Sequence, residues 1–126
     1  MGREKRVQPA PHRVERDTED EIVAWAEDEG GEALKLKIDG LRGFPDRTLL
    51  FAGALVLFVE TKTPTNKTSP QQDRWIKRLR ELGFVVEVAR TLAEAKEALW
   101  LARAEQKLRW RKIIDDERRM VESRDF

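Results

Sequence analysis

Apolar residues recur along the chain with two different periods. Between Thr18 and Glu29, the residues Ile22, Trp25 and Ala26 fall at helical spacing, and Gly30-Gly31 ends the run. Thr18 followed three residues later by Glu21 makes a capping box for this first helix. From Ala33 to Ile38 the period shortens to two. Leu34, Leu36 and Ile38 share one face while Lys35 and Lys37 share the other, which predicts a half-exposed strand. Asp39-Gly40 then makes a turn. Two apolar runs follow, Thr48 to Phe51 and Ala54 to Lys62, with Ala52-Gly53 as the turn between them. They predict a hairpin at the centre of a sheet. Pro64 cannot continue a central strand, so Thr63 to Thr68 reads as a polar loop.

The helical period returns after Ser69. That serine is an N-cap, Pro70 suits the first helical position, and Gln72 completes a capping box. Trp75, Ile76, Leu79 and Leu82 form the buried stripe, and Gly83 closes the helix. Phe84 to Ala89 predicts another strand. Thr91 with Glu94 caps a third helix, packed through Leu92, Ala95, Ala98, Leu99 and Ala102. No Gly or Pro appears after Gly83, so this helix is expected to reach about Met120. Its last part sets Leu101, Leu108, Trp110, Ile113 and Ile114 among charges. A lone amphipathic helix buries too little to be stable, so it packs back on the domain or against a second subunit. Its basic residues Arg103, Lys107, Arg109, Arg111 and Lys112 offer DNA flanking as a further option. The expected organisation is a flexible basic arm over 1–14, a catalytic domain over 15–100 and a charged helical extension over 101–126.

Composition narrows the classes. At 126 residues without internal duplication, one domain is expected. With 40% apolar and 39% charged residues, the core is small and the surface polar. The absence of cysteine removes disulfide scaffolds, cysteine nucleophiles and cysteine-based zinc sites. His12, in the polar N-terminal stretch, is the single histidine, which argues against histidine-dependent chemistry. No hydrophobic signal core or bilayer-length run is present, so a cytoplasmic location is expected. Net charge is only +1, so any nucleic-acid contact must come from local clusters. Lys35, Lys37, Arg42 and Arg47 form one; Lys62, Lys67, Arg74, Lys77, Arg78 and Arg80 form another. Ordinary solvated faces are the competing explanation for each.

The chemistry concentrates in Gly43-Phe44-Pro45-Asp46-Arg47 and in Leu55 to Lys62. The second is a core strand ending in Glu60-Thr61-Lys62. Alternation points Glu60 and Lys62 to the same side. An acid and a lysine there are costly to bury without compensation, which a metal ion and a phosphate would provide. A hairpin would bring Asp46 back beside Glu60. Asp…Glu-x-Lys is the pattern of the PD-(D/E)xK nucleases, and the wider stretch resembles their VRR-NUC branch. The matching positions are Glu19, Gly30-Gly31, Lys35, Gly43 to Arg47, Glu60 to Lys62, Ser69 to Gln72 and Leu79 to Gly83.

This resemblance implies an α/β, restriction-endonuclease-like core with a central mixed β-sheet flanked by helices, followed here by the C-terminal helical extension. It implies Mg²⁺ or Mn²⁺ held by Asp46, Glu60, the main-chain carbonyl of Thr61 and a helix acid. Glu19 is the preferred helix acid, and Glu15, one turn earlier, is the alternative. The resemblance adds Gln72 to the catalytic set of Asp46, Glu60, Lys62 and Glu19, and it places Lys35 near the site. Candidate DNA contacts are Lys35, Arg42, Arg47, Lys67 and Arg74. A lysine acts as a base only with a lowered pKa, which neighbouring carboxylates oppose; Lys62 is therefore expected to position groups and stabilise charge. The implied activity is a divalent-metal-dependent DNA endonuclease of phage or mobile-element type. It would act as a homodimer on branched DNA such as four-way (Holliday) junctions, in the host-cell cytoplasm if phage-encoded. A non-catalytic DNA-binding module of the same fold, or the cleavage subunit of a restriction-like system, are the alternatives.

Overall fold

The computed structural model describes residues 11–124, with side chains from Glu15 onward. Three helices and four strands follow in the order α1 (Pro11–Asp28), β1 (Glu32–Leu34), β2 (Arg47–Phe51), β3 (Leu55–Thr61), α2 (Pro70–Glu81), β4 (Val85–Ala89) and α3 (Leu92–Glu122). The sheet has spatial order β1-β2-β3-β4. The first three strands are antiparallel, and β4 joins β3 in parallel through α2. This is the mixed, helix-flanked sheet of an α/β fold.

Alternation along β3 sorts its residues between two cores. Leu55, Leu57 and Val59 face α1 and α3, where they meet Ile22, Ala26, Ala95, Ala98, Leu99 and Ala102. Phe58 faces the other way, onto Ile76 and Leu79 of α2, with Val86 of β4 alongside. Ala95, Ala98 and Ala102 of α3 are fully or almost fully buried and have no side chain beyond Cβ, so this helix lies close against the sheet. The two layers leave β3 covered on both faces, which explains why nearly every residue of it is buried.

Four expectations change. The first helix begins at Pro11, so Thr18 lies inside it and caps nothing. The basic arm thus cannot extend to residue 14; residues 1–10 of it lie outside the described residues. The first strand stops at Leu34 instead of Ile38 because its partner runs out. Leu34 pairs with Thr48, and only Arg47 precedes that residue in β2. Leu36 and Ile38, at 42% and 45% exposed, therefore leave the sheet instead of forming a buried face. Ala54 belongs to the turn, with a φ of 60°, rather than to β3. Leu82 stands in the C-cap of α2, 54% exposed, outside the buried stripe that Ile76 and Leu79 form.

Gly31 joins α1 to β1 at a point where a Cβ would lie 2.6 Å from the Leu50 carbonyl oxygen and 2.8 Å from the Phe51 ring. Both neighbours belong to the sheet and cannot move independently. Gly31→Ala is expected to destabilise the fold by about 1–3 kcal/mol, as overpacking does. An unchanged urea midpoint in that variant would contradict this packing.

Candidate active site

Charge gathers where β3 leaves the core. Glu60 is 2% exposed and Thr61 is fully buried. Pairing of Arg47 with Val59 carries the preceding residue, Asp46, to the side of Glu60 and Thr61. The main-chain amide of Thr61 and its hydroxyl both donate to Asp46 Oδ2, at 3.0 and 2.8 Å. In return the Asp46 amide donates to Glu60 Oε2 at 3.1 Å. Lys62 shares the face of Glu60, as strand alternation requires, with Nζ 3.7 Å from Glu60 Oε1. Its amide continues the parallel ladder by donating to the Ala89 carbonyl at 3.0 Å.

The N-terminus of α2 closes the site from the other side. Ser69 and Gln72 form a reciprocal capping box: the Ser69 amide donates to Gln72 Oε1, and the Gln72 amide to Ser69 Oγ. The remaining group of that glutamine, Nε2, donates to Glu60 Oε1 at 2.5 Å. One side chain thus both caps the helix and holds the carboxylate. Gly43 makes the closure possible. Its φ is +85°, and a Cβ there would lie 2.5 Å from the Gln71 carbonyl carbon and 2.7 Å from the Gln72 nitrogen. Phe44 then stacks edge-on against Phe58 and Trp75, at 5.6 and 5.3 Å, which anchors the loop entering Asp46. Sequence analysis assigns Phe44 no role of its own; its signal is an aromatic held between Gly43 and Pro45 directly before Asp46.

Two carboxylates this close, one of them almost without solvent, change the acidity of the site. Burial, then the charge of Asp46, pushes the Glu60 carboxyl up to about 7, against the opposing pull of Lys62 and the Asp46 amide. Burial also raises Glu15; Lys62 pulls it down, and Asp46 and Glu19 push it up. Glu15 therefore senses the centre from α1. Glu19, the preferred helix acid, is turned elsewhere. Its Oε1 accepts from Arg47 Nε at 2.7 Å and lies 3.8 Å from Lys35 Nζ. The reason is the motif arginine itself, which follows Asp46 on the neighbouring strand and takes the carboxylate one turn above Glu15.

The candidate DNA contacts are scattered around this centre. Arg47 is mostly buried against Glu19, whereas Lys35 keeps 54% of its side chain exposed. Arg42 and Arg74 line one shallow depression with Leu41, Gln71 and Trp75 beside the start of α2. Lys67 is exposed in the loop after β3.

Among the described residues, no group of three or more Asp, Glu, His or Cys is arranged to hold a metal ion alone. The donor set nonetheless fits a hard cation. Mg²⁺ keeps several waters and takes one or two carboxylates together with substrate phosphate, not an all-protein cage. Asp46 and Glu60 supply two such carboxylates, each fixed by hydrogen bonds on one side.

The raised pKa of Glu60 has a stability consequence for metal-free protein. Its folded value, about 7, exceeds the ordinary 4.5, so the fold retains a proton that the unfolded chain loses. That contribution is complete below about 4.5 and disappears as pH rises through about 7. Thermal unfolding in chelator should therefore show Tm falling by several degrees between pH 5 and about 7, with a flatter profile in Glu60→Gln. Equal slopes in both proteins would refute the assignment.

Comparison with known proteins gives a consistent picture. A family model described as the VRR-NUC domain matches residues 4–93. A protein of Acyrthosiphon pisum secondary endosymbiont phage 1, named "Putative nuclease p44", is 38% identical over 68 residues, covering 54% of this chain and 73% of its own. A solved structure described as a VRR_NUC domain superposes with a TM-score of 0.63 at 26% identity, covering 68% of this chain and 94% of its own. With its hairpin acids, strand lysine and capping glutamine in one corner of the sheet, the chain belongs to the VRR-NUC family.

Proposed function

We propose that this protein is a nuclease that hydrolyses DNA phosphodiester bonds with the help of Mg²⁺ or Mn²⁺. The observation that carries the reading is the joint placement of Asp46, Glu60 and Lys62 at the end of β3. A divalent cation bound there would offset the charge of the phosphate and make water a better nucleophile. Asp46 and Glu60 would hold it, with the Thr61 carbonyl as a third oxygen; Glu15 replaces Glu19 as the acid contributed by α1.

The chain's own groups have separate tasks. The Asp46 carboxylate is fixed by two donors of Thr61, so it presents a constant geometry. Gln72 does the same for Glu60. Lys62 brings an ammonium group, 14% exposed, to the rim of the pair, where it meets charge developing on the phosphate. Lys35, Arg42, Lys67 and Arg74 would follow the DNA backbone, and Arg47 would keep Glu19 and α1 in place. Action as a homodimer on branched DNA such as four-way junctions, in the cytoplasm, is the finer form of the proposal. Two symmetric nicks require two centres. No helix of the described residues is long and apolar enough to cross a membrane.

The test is cleavage of a labelled four-way junction, a linear duplex and single-stranded DNA, with Mg²⁺, with Mn²⁺ and with chelator. Cutting with metal and none with chelator is expected. Equal cutting of junction and duplex would remove the branched-DNA refinement alone. Lys62→Ala should lower turnover by about a hundredfold or more while leaving DNA binding nearly unchanged. Wild-type rates in that variant would remove Lys62 from the mechanism. Binding should weaken steeply with salt if the basic residues meet phosphates.

A further inference from the structure

The third helix outruns the domain it belongs to. It extends to Glu122, while the VRR-NUC match ends at residue 93. Its last ties to the domain are two hydrogen bonds to turns, from Gln106 Nε2 to the Gly53 carbonyl at 2.5 Å and from Arg109 to the Gly83 carbonyl at 3.3 Å. Beyond Arg109 no hydrogen bond or ion pair joins α3 to another element among the described residues.

The apolar face does not stop there. Leu99, Gln106, Ile113 and Met120 recur every seven residues and so share one side of the helix. Leu99 is 2% exposed in the core, whereas Ile113 and Met120 are 45% and 60% exposed. Trp110, Ile114 and Val121 widen the same stripe, each more than half exposed. A core-facing surface thus continues into a stripe that no other element covers among the described residues.

The flanking charges indicate the occupant. Lys112 precedes the Ile113-Ile114 pair, and Asp115 and Asp116 follow it. A second copy laid antiparallel, with its axis of symmetry between Ile113 and Ile114, sets Lys112 of each copy against the acids of the other. A parallel pairing would put lysine against lysine and aspartate against aspartate, which like charges disfavour. The contact is self-complementary, as a two-fold interface must be.

We infer that residues 106–122 of α3 form an antiparallel helix pair with the same segment of a second copy of this chain. The inference rests on the two-copy arrangement proposed above and gives it a surface, outside the family-matched region. It is independent of the cleavage chemistry, so loss of nuclease activity and loss of pairing are separately observable.

Sedimentation of the full chain, 14.7 kDa per copy, measures it directly. Wild-type protein should sediment at twice that mass, and Ile113→Asp with Ile114→Asp should sediment as single copies. Lys112→Glu and Asp116→Lys should each weaken association by about tenfold or more when alone. Mixed together, these two variants should pair again, since each restores the opposite charge facing the other. A defect within one helix would not be repaired by mixing. Single copies in the wild type, or no recovery on mixing, would overturn the inference.

Discussion

The arrangement depends on a carboxylate held almost out of water at the end of a core strand. Glu60 is tolerable there because three neighbours meet it: the Asp46 amide, the Gln72 side chain and the Lys62 ammonium. An unpaired buried charge would cost several kcal/mol. Each partner is supplied by a different element, and so the local electrostatic requirement constrains the wider fold. The β2–β3 register must bring Asp46 alongside, α2 must start at Ser69, and the loop before Asp46 must pass close enough to that start that only Gly43 fits.

The cost of the arrangement is incomplete neutralisation. One nearby ammonium does not balance Glu60, Asp46 and Glu15, and burial and mutual repulsion raise the pKa values of Glu60 and Glu15. A centre built in this way gains by admitting positive charge, and its oxygen donors favour a hard cation over a soft one. The electrostatic cost in the free protein and its proposed catalytic use are then the same property.

Much of the architecture was legible because local signals and burial agree. The capping box at Ser69, the N-cap at Thr91 and the hydrophobic run of β3 fix two helix starts and the central strand. Signals without tertiary support misled. Thr18 and Glu21 have the form of a cap, yet helix continues upstream to Pro11. Leu36 and Ile38 keep a strand's alternation, but β2 offers no partner beyond Arg47. At the centre, the spacing of Asp46, Glu60 and Lys62 was readable from alternation and a hairpin. The choice between Glu15 and Glu19 was not, because both lie on one helical face one turn apart. The proposal of Glu15 rests on the Arg47 guanidinium that engages Glu19, a long-range contact with no local signature. The double duty of Gln72 was similarly hidden, since capping alone accounts for that residue.

The central claim is that Asp46 and Glu60, not Glu19, hold the cation. Titration of Mn²⁺ followed by electron paramagnetic resonance tests it on protein without DNA. The account predicts saturable binding in the wild type and in Glu19→Gln, and its loss in Asp46→Asn. Binding that survives Asp46→Asn but disappears in Glu19→Gln would contradict it.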